Sequence, residues 1–298
     1  MAGPERILVT GCRGRLGTDL MRCLGEEYEL VGVDRSDMDI TDAERVKAYL
    51  LALRPHAVLH TAAYTDVDGC ESRAQHALAV NSEGTRNVAE ACREVGAWML
   101  YYSTDYIFDG LKQSAYVETD HPNPQTVYGR SKLAGEKAAT STLEQICIAR
   151  ISWMYGLTGN NFVKTMISQG KSQLGLRAKG QAIRPLRALD DRFGSPTWTR
   201  EVAAQTKVLL EKRVTGVVHA AAPGKLSRYQ LASRVFEILE MPVEVEPCPS
   251  SDMPQSAPRP ANSALENSWL QAAGLCVMKT AADALEVFLR AYGQELVS

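Results

Sequence analysis

A tyrosine and a lysine four residues apart are the clearest candidates for proton transfer in this sequence. Tyr128 and Lys132 share the stretch Tyr-Gly-Arg-Ser-Lys, and their i, i+4 spacing puts both on one face of a predicted helix. Tuning a phenol from its ordinary pKa of about 10 to neutral pH takes about 4 kcal/mol. A cation about 4 Å away, at an effective dielectric of about 20, supplies about that much. The spacing predicts that Tyr128 is an acid whose pKa Lys132 lowers, whereas an exposed helix face is the alternative for the pair alone.

Two hydroxyl residues precede this pair in the chain. Ser103 and Thr104 follow the apolar run at 98–102, where the fourth predicted strand ends. A hydroxyl at the carboxyl end of a parallel strand can donate a hydrogen bond to a carbonyl oxygen in the cleft. The alternative is a polar strand end that caps the next turn.

Three glycines near the start of the chain form the pattern G-x-x-G-x-x-G. Gly11, Gly14 and Gly17 lie between the first apolar run and the first predicted helix. Such glycines permit a tight turn, close approach of backbone N–H groups to a pyrophosphate, and packing of helix on strand. The helix N-terminus then attracts the anion. A simple turn is the alternative, but the strand–loop–helix context favours a dinucleotide site.

The charges near this loop give conflicting indications about the coenzyme. Asp34 ends the second apolar run, where a carboxylate can accept a hydrogen bond from an adenosine ribose 2′-OH. Arg35 follows it, and Arg13 and Arg15 lie in the loop, where guanidinium groups would suit a 2′-phosphate. We favour NADPH, with NADH also accepted. For each arginine a solvated surface charge is an equal alternative.

The elements that must position these residues alternate in type. Short apolar runs at 6–9, 30–33, 56–60, 98–102 and 145–151 are separated by predicted helices at 16–24, 41–53, 72–95 and 125–139. This alternation is typical of βαβ units, and continuously apolar runs indicate strands buried on both faces. The pattern predicts an α/β fold with a doubly wound parallel (Rossmann) sheet. Thr41 and Glu44 predict a capping box at the start of the second helix.

The second half of the chain is less regular. We predict helices at 200–212 and 227–239, a strand at 216–220 and a loop-rich region from Pro242 to Pro260. The division predicted is a dinucleotide-binding domain at 1–150 and, at 151–298, mainly a smaller C-terminal substrate-binding lobe with some segments returning to the sheet. The basic segment 173–192 could contact a nucleotide diphosphate, but a mobile surface loop is favoured.

Composition excludes several classes of function. The 298 residues are 45% hydrophobic and 23% charged, which is ordinary globular usage. A net charge of -2 offers no basic footprint for nucleic acid or a membrane surface, and no apolar run approaches the about 20 residues of a bilayer span. No signal-peptide core is present, and the 7 cysteines form no C-x-x-C pair. These features predict a cytoplasmic protein with reduced thiols.

Several longer stretches carry a family resemblance. They lie at 62–68, 102–110, 127–136, 150–155, 159–162, 194–197 and 259–263, and the region 102–162 is the most specific. Together they resemble the dTDP-4-dehydrorhamnose reductase family, a group of extended short-chain dehydrogenases/reductases. The resemblance implies a cytoplasmic enzyme that reduces the 4-keto group of dTDP-4-dehydro-L-rhamnose to dTDP-L-rhamnose with NADPH or NADH.

The resemblance also assigns roles to individual residues. Tyr128 would protonate the developing alkoxide, Lys132 would hold the nicotinamide ribose and lower the pKa of Tyr128, and Thr104 would hydrogen-bond the keto oxygen. The residues implied in substrate binding are Val67, Ser103, Thr104, Asp105, Tyr106, Tyr128 and Trp153. Those implied in cofactor binding are Gly11, Arg13, Gly14, Arg15, Leu16, Gly17, Asp34, Arg35, Asp39, Ile40, Ala62, Ala63, Tyr64, Tyr128 and Lys132. Trp153 could equally be a core aromatic, and the two alanines could serve packing alone.

Some members of the family carry magnesium at a dimer contact, and one of the expected carboxylates falls on Arg200 here. We therefore predict no metal, while a homodimer is compatible with the resemblance.

Other functions on the same fold remain alternatives. A 4,6-dehydratase needs an acid–base carboxylate next to the catalytic threonine, but Thr104-Asp105 is followed by Tyr106. A 4-epimerase agrees less well with the stretch 103–110. A non-catalytic nucleotide-binding subunit, like the regulatory subunit of methionine adenosyltransferase, is the alternative from another class. The intact set of Ser103, Thr104, Tyr128 and Lys132 argues against lost catalysis.

Overall fold

The computed structural model describes residues 4–253 and 256–297. The strands in chain order are β1 (Arg6–Thr10), β2 (Glu29–Val33), β3 (Ala57–His60), β4 (Trp98–Thr104), β5 (Ile146–Ile151), β6 (Met154–Tyr155), β7 (Leu186–Leu189), β8 (Phe193–Gly194), β9 (Thr197–Trp198), β10 (Gly216–His219), β11 (Leu226–Ser227) and β12 (Val245–Cys248). Six of them form one sheet in the order β10-β5-β4-β3-β1-β2, and all neighbours in it are parallel. This confirms the predicted α/β fold with a parallel Rossmann sheet.

Helices cover both faces of the sheet. They are α1 (Arg15–Leu24), α2 (Ala43–Leu53), α3 (Val67–Ser72), α4 (Ala74–Leu78), α5 (Gly84–Val95), α6 (Val127–Thr142), α7 (Phe162–Ala178), α8 (Thr199–Glu211), α9 (Arg228–Ile238), α10 (Ser268–Ala272) and α11 (Ala281–Val297). α1 and α8 pack together on one face, and α2, α5 and α6 pack on the other. The strand order reverses between β1 and β3, and ligands of such sheets bind at the carboxyl edge beside this point.

The predicted capping box at Thr41 is wrong. The N–H and the hydroxyl of Thr41 both donate to Asp39, at 3.0 and 2.8 Å, so this side chain closes the preceding turn. Asp42 caps α2 instead, accepting a hydrogen bond of 3.1 Å from the N–H of Arg45. An ionised carboxylate is at least as good an N-cap as a hydroxyl.

The region 72–95 is not one helix, contrary to the prediction. It breaks at Arg73, and a π-helical turn spans Ala79–Glu83 before α5 begins. The turn directs Asn81 inward, where it accepts a hydrogen bond of 2.8 Å from the N–H of Tyr64 and donates one of 2.9 Å to Ser131. Tertiary hydrogen bonds near the cleft thus override the regular helical period, as is common for π-bulges at functional sites.

The second half contains a smaller group of elements around α7, α9 and α11. A short two-stranded sheet joins β7 to β12, and α7, α9 and α11 share an apolar core. The basic segment 173–192 is therefore only partly a loop, because α7 extends to Ala178 and β7 begins at Leu186. Strand pairing with β12 orders a stretch whose charge alone favoured a mobile loop. No described helix is both long and apolar enough to cross a membrane.

Candidate active site

A cleft of about 710 Å³ lies along the carboxyl edge of the sheet. Its walls come from the segments that follow β1 to β5 and from α6 and α9. It brings together every residue predicted for catalysis, cofactor or substrate except Gly17. These are Gly11, Arg13, Gly14, Arg15, Leu16, Asp34, Arg35, Asp39, Ile40, Ala62, Ala63, Tyr64, Val67, Ser103, Thr104, Asp105, Tyr106, Tyr128, Lys132 and Trp153.

The glycine loop has the geometry that its spacing predicts. Gly11 has a φ of 66°, and a Cβ there would lie 2.9 Å from the backbone nitrogen of Ala62. Gly14 occupies the N-cap of α1 without a side-chain cap, so the first N–H groups of the helix face the cleft. Gly17 lies behind the loop, where a Cβ would come within 2.2 Å of the Gly11 carbonyl oxygen. Gly17 was predicted to contact the cofactor, but it lies outside the cleft lining and instead supports the loop that lines it.

Gly17→Ala is expected to lower the unfolding free energy by about 1–3 kcal/mol and to weaken dinucleotide binding. The new methyl group would also meet the Cα of Cys12 at 2.7 Å, and backbone atoms cannot move aside like a side chain. Urea unfolding and a dinucleotide titration measure the two effects. Gly175→Ala is the matched control, because no atom lies within 4 Å of a Cβ at this helical position. Equal stability of the two variants would contradict the support role of Gly17.

Carboxylates and guanidinium groups alternate at the end of the cleft beyond β2. Asp34 accepts a hydrogen bond of 2.9 Å from the backbone N–H of Arg13, whose side chain lies 3.9 Å from the same carboxylate. Arg35 donates to Asp39 at 3.1 Å. Both arginine side chains are largely exposed, at 73% and 78%. The carboxylate for a ribose hydroxyl and the cations for a 2′-phosphate are thus both present.

Arg15 connects the glycine loop to the second half of the chain. Its guanidinium donates to the carbonyl oxygens of Met154, at 3.3 Å, and of Asn160. Its buried Nε has no hydrogen-bond partner among the described residues, and burial lowers the pKa of the group. A buried donor without a partner marks a place where a bound anion fits.

Helix α6 presents Tyr128 and Lys132 to the cleft. Thr126 caps the helix, accepting a hydrogen bond of 2.9 Å from the N–H of Gly129. A Cβ at Gly129 would lie 2.1 Å from the carbonyl oxygen of Tyr106, so this glycine lets the helix start pack against the segment after β4. The rings of Tyr106 and Tyr128 meet edge to face at 5.7 Å, and Thr104 lies close enough to the Tyr128 hydroxyl to act on its pKa. The three predicted catalytic residues are therefore neighbours.

Burial controls the two titrating groups of this set. It raises the pKa of Tyr128, with the nearby Thr104 hydroxyl acting in the opposite direction. It lowers the pKa of Lys132 to about 7, although Glu136 acts to raise it. The prediction that Lys132 lowers the pKa of Tyr128 is not borne out in the free protein. Desolvation of the phenolate, which spacing along a helix does not reveal, is the largest effect on its pKa.

The surroundings of Lys132 explain its lowered pKa. The side chain is only 2% exposed, and its ammonium lies 4.0 Å from the centroid of the Tyr101 ring. Glu136, one turn further along α6, is engaged by Arg150 at 2.9 and 3.1 Å. The carboxylate that could compensate the ammonium is therefore already paired.

The end of β4 supplies a hydrogen-bonded group behind Tyr128. Thr104 donates to Asp105 at 3.1 Å, and Asp105 also accepts a hydrogen bond of 2.8 Å from Ser152. Burial raises the pKa of Asp105, whereas hydrogen bonds from Ser263, Ser152 and Thr104 act to lower it. The buried Ser103 hydroxyl lacks a hydrogen-bond partner among the described residues. Thr104 is thus held in place, while Ser103 is available to a ligand.

Trp153 forms a wall of the cleft in a strained conformation. Its φ of 42° is unusual for a residue other than glycine, and such strain costs about 1–3 kcal/mol. A Cβ at Gly194 would lie 2.2 Å from the indole, so this glycine makes room for the ring. The side chain also packs beside the apolar core of the second half. Trp153 is therefore a cleft residue with one side in the core.

Of the cleft residues that were not predicted from the sequence, Arg228 and the supporting Asn81 make the most specific contacts. Arg228, the first residue of α9, stacks on Trp153 with its guanidinium carbon 3.5 Å from the ring centroid. The Asn81 side chain holds the segment after β3 by two hydrogen bonds to the backbone of Tyr64. Ser227 and Gln230 form a capping box, so locally Arg228 resembles any residue at a helix start. No sequence signal distinguishes it.

No group of three or more His, Cys, Asp or Glu residues with metal-ligand geometry occurs at positions 4–253 and 256–297. Arg200, where a family carboxylate was expected, donates a hydrogen bond of 2.9 Å to Tyr292.

The Rossmann sheet, the glycine loop and the adjacent Thr104, Tyr128 and Lys132 define an extended short-chain dehydrogenase/reductase. The family profile described as "RmlD substrate binding domain" matches residues 5–294. The chain belongs to the dTDP-4-dehydrorhamnose reductase family.

Relatives support this placement over nearly the whole chain. The dTDP-4-dehydrorhamnose reductase of Mycobacterium tuberculosis is 37% identical over 305 residues, which cover 98% of this chain and 95% of the relative. The dTDP-4-keto-6-deoxy-D-glucose reductase of Streptomyces niveus is 35% identical, covering 91% of this chain and 92% of the relative. The crystal structure of the Bacillus anthracis dTDP-4-dehydrorhamnose reductase in complex with NADP superposes with a TM-score of 0.91 at 34% identity, covering 97% of this chain and 100% of that one.

Proposed function

We propose that this chain reduces the 4-keto group of a dTDP-4-dehydro-6-deoxy sugar, converting dTDP-4-dehydro-L-rhamnose to dTDP-L-rhamnose. The observation that carries this proposal is the contact of Thr104 with Tyr128 in one cleft with a glycine loop. The relatives' names supply the sugar class, and the cleft supplies an acid and a nucleotide cradle.

The cofactor fits the residues present. The N-terminus of α1, the space above Gly11 and Gly14, and the unpartnered Nε of Arg15 suit a dinucleotide diphosphate. Asp34, Arg35 and Asp39 would hold the adenosine end, while Ala62, Ala63, Tyr64 and Ile40 would line its path. Lys132 would hold the nicotinamide ribose. We favour NADPH because Arg13 and Arg35 flank the carboxylates, and a relative's structure holds NADP.

The proposed chemistry divides between the cofactor and the protein. When bound, the reduced nicotinamide supplies a hydride to the keto carbon, which converts the keto oxygen to an alkoxide. Tyr128 gives its proton to that oxygen, so that an alcohol forms. The Thr104 hydroxyl donates to Asp105 in the free protein, and on substrate binding it would turn its one proton to the keto oxygen. Because burial raises the pKa of Tyr128, this acid is protonated at neutral pH. Before substrate binds, Asp105 accepts from Thr104 and is itself held by a hydrogen bond from Ser152, which keeps the Thr104 side chain at the end of β4.

The second half of the chain would complete the substrate site. Trp153 and Tyr106 would contact the sugar, with Val67 and Ser103 beside them. We propose the division into a dinucleotide-binding domain at 1–150 and mainly a substrate-binding lobe at 151–298, from which β10 returns to the sheet. All 7 cysteines are free thiols, which supports a cytoplasmic enzyme. A homodimer remains a prediction.

The test is a rate measurement with defined substrates. Purified protein should consume NADPH when dTDP-4-dehydro-L-rhamnose is added, and the product should co-elute with dTDP-L-rhamnose. Turnover with NADH should be slower at equal concentration. dTDP-4-dehydro-6-deoxy-D-glucose serves as the sugar control, since a relative is named for that keto sugar. Tight NADPH binding without turnover on either sugar would favour a non-catalytic subunit instead.

A further inference from the structure

One arginine at the wall of the cleft lies over two aromatic rings. The guanidinium carbon of Arg228 lies 3.5 Å from the ring centroid of Trp153 and 4.8 Å from that of Phe162. The capping box between Ser227 and Gln230, with bonds of 3.0 and 2.8 Å, anchors the helix turn that carries it. Stacking on its faces leaves the N–H edge of the planar group for hydrogen bonding.

This edge has no carboxylate partner. Among residues 4–253 and 256–297, Arg228 makes no ion pair within 4 Å and donates no hydrogen bond. Burial lowers its pKa to about 10, so that it is still a cation at neutral pH. The nearby Asp105 is engaged with Ser152 and Thr104. Arg228 is half-buried, and a cation in a cleft whose N–H edge has no protein partner is a common feature of ligand sites.

A second guanidinium lies close enough to Tyr106 to act on its pKa, as Arg228 does. Arg259 is paired with Asp68, at 2.6 and 3.1 Å. Burial raises the pKa of Tyr106, and the charges of Arg259 and Arg228 act in the opposite direction, so both cations lie close to this tyrosine. Arg259 is already neutralised by Asp68, and Asp105 is engaged by Ser152 and Thr104. The unpaired N–H edge of Arg228 is therefore the part of this group that is available to an anion.

The nucleotide-sugar substrate has one strongly anionic part, its diphosphate. The diphosphate of the cofactor has its own cradle at the N-terminus of α1, with Arg15 in the glycine loop. Arg228 belongs instead to α9, in the second half of the chain. We propose that Arg228 binds the diphosphate of the nucleotide-sugar substrate, with Trp153 and Phe162 stacked on its faces. This inference rests on the proposed function and adds a residue that sets affinity for the substrate.

Arginine suits this position better than lysine would. Its planar guanidinium can stack between two rings and donate two parallel hydrogen bonds to a phosphate, whereas an ammonium does neither. The stack also couples the anion site to Trp153, the strained residue in the sugar wall. Loss of Arg228 should therefore act on the substrate and leave the dinucleotide unaffected.

The experiment compares Arg228→Gln with the unchanged protein in binding of dTDP, of thymidine and of NADPH by calorimetry. The dissociation constant of dTDP and the KM of the nucleotide sugar should rise about 10- to 100-fold, as for loss of hydrogen bonds to a charged group. Binding of thymidine and NADPH should not change. Arg234→Gln is the matched control, because Arg234 lies on the same helix and pairs with Glu237 at 3.1 Å away from the cleft.

Arg228→Lys gives a second measure if the glutamine variant does not fold. It keeps the charge and loses one of the two parallel hydrogen bonds to the phosphate, so dTDP affinity should fall about fivefold, equivalent to about 1 kcal/mol. Unchanged dTDP binding in either folded variant overturns the role of Arg228. A wild-type protein that neither binds dTDP nor reduces the sugar overturns the proposed function as well. Wild-type turnover combined with unchanged dTDP binding in the variants overturns this inference alone.

Discussion

Tyr128→Phe is expected to lower kcat for reduction of the keto sugar by about 10²- to 10⁴-fold, the usual contribution of one general acid. The change removes the only proton that this residue can donate and keeps the ring. The contact with Tyr106 at 5.7 Å is a contact between rings, so the packing at the start of α6 should persist. Steady-state rates at saturating NADPH and sugar measure the effect.

A second phenylalanine variant separates proton transfer from substrate binding. Tyr106→Phe removes a hydroxyl from the same cleft, on the side that faces Arg259 and Arg228. It should mainly raise the KM for the nucleotide sugar, whereas Tyr128→Phe should mainly lower kcat. NADPH affinity should stay unchanged in both. A Tyr128→Phe enzyme with near-normal kcat would refute the role of Tyr128 as the acid.

Lys132→Met is expected to raise the unfolding free energy of the free protein by about 4 kcal/mol at pH 7. This figure counts only the removal of the cost of deprotonating Lys132 on folding. The pKa of Lys132 is lowered from 10.5 in the unfolded chain to about 7 in the folded protein, so folding must release a proton between these values. The unfolded state binds more protons there, and the stability of the wild type therefore rises with pH by up to about 1.4 kcal/mol per unit. The advantage of the methionine variant should shrink as pH approaches 10.5.

Urea unfolding of both proteins at pH 7, 8, 9 and 10 tests this expectation. The quantity compared is the difference in unfolding free energy between Lys132→Met and the wild type at each pH, in which the titration of the other groups cancels. Lys137→Met is the control on the same helix, because Lys137 is exposed and its replacement should change stability by less than about 0.5 kcal/mol. A difference between Lys132→Met and wild type that stays constant over this range would contradict the lowered pKa. Although Lys132→Met should be more stable, its reductase activity should be lower than that of the wild type. A buried group that destabilises a protein at its site is commonly kept for function.

Local signals in the sequence were sufficient for much of the fold. Apolar runs buried on both faces and helical spacing between them identified the sheet strands β1 to β5, and the strand predicted at 216–220 pairs with β5. The two wrong helix predictions share a cause, because in both a polar side chain bonds to residues outside the helix that the pattern predicted. Thr41 closes a turn with Asp39 instead of capping a helix, and Asn81 leaves the helical period to bond Tyr64 and Ser131.

By itself, the sequence determined the fold class and the chemical groups of the cleft: Gly11 and Gly14 in the loop, Thr104 after a strand, and Tyr128 with Lys132 on one helix face. These depend on residue type and on spacing along one element, which are local properties. Only the tertiary structure decided that Gly17 lies behind the loop, that Arg228 faces the cleft between two rings, and that burial raises the pKa of Tyr128 while lowering that of Lys132. Desolvation and the choice of partners depend on atoms brought together from distant parts of the chain.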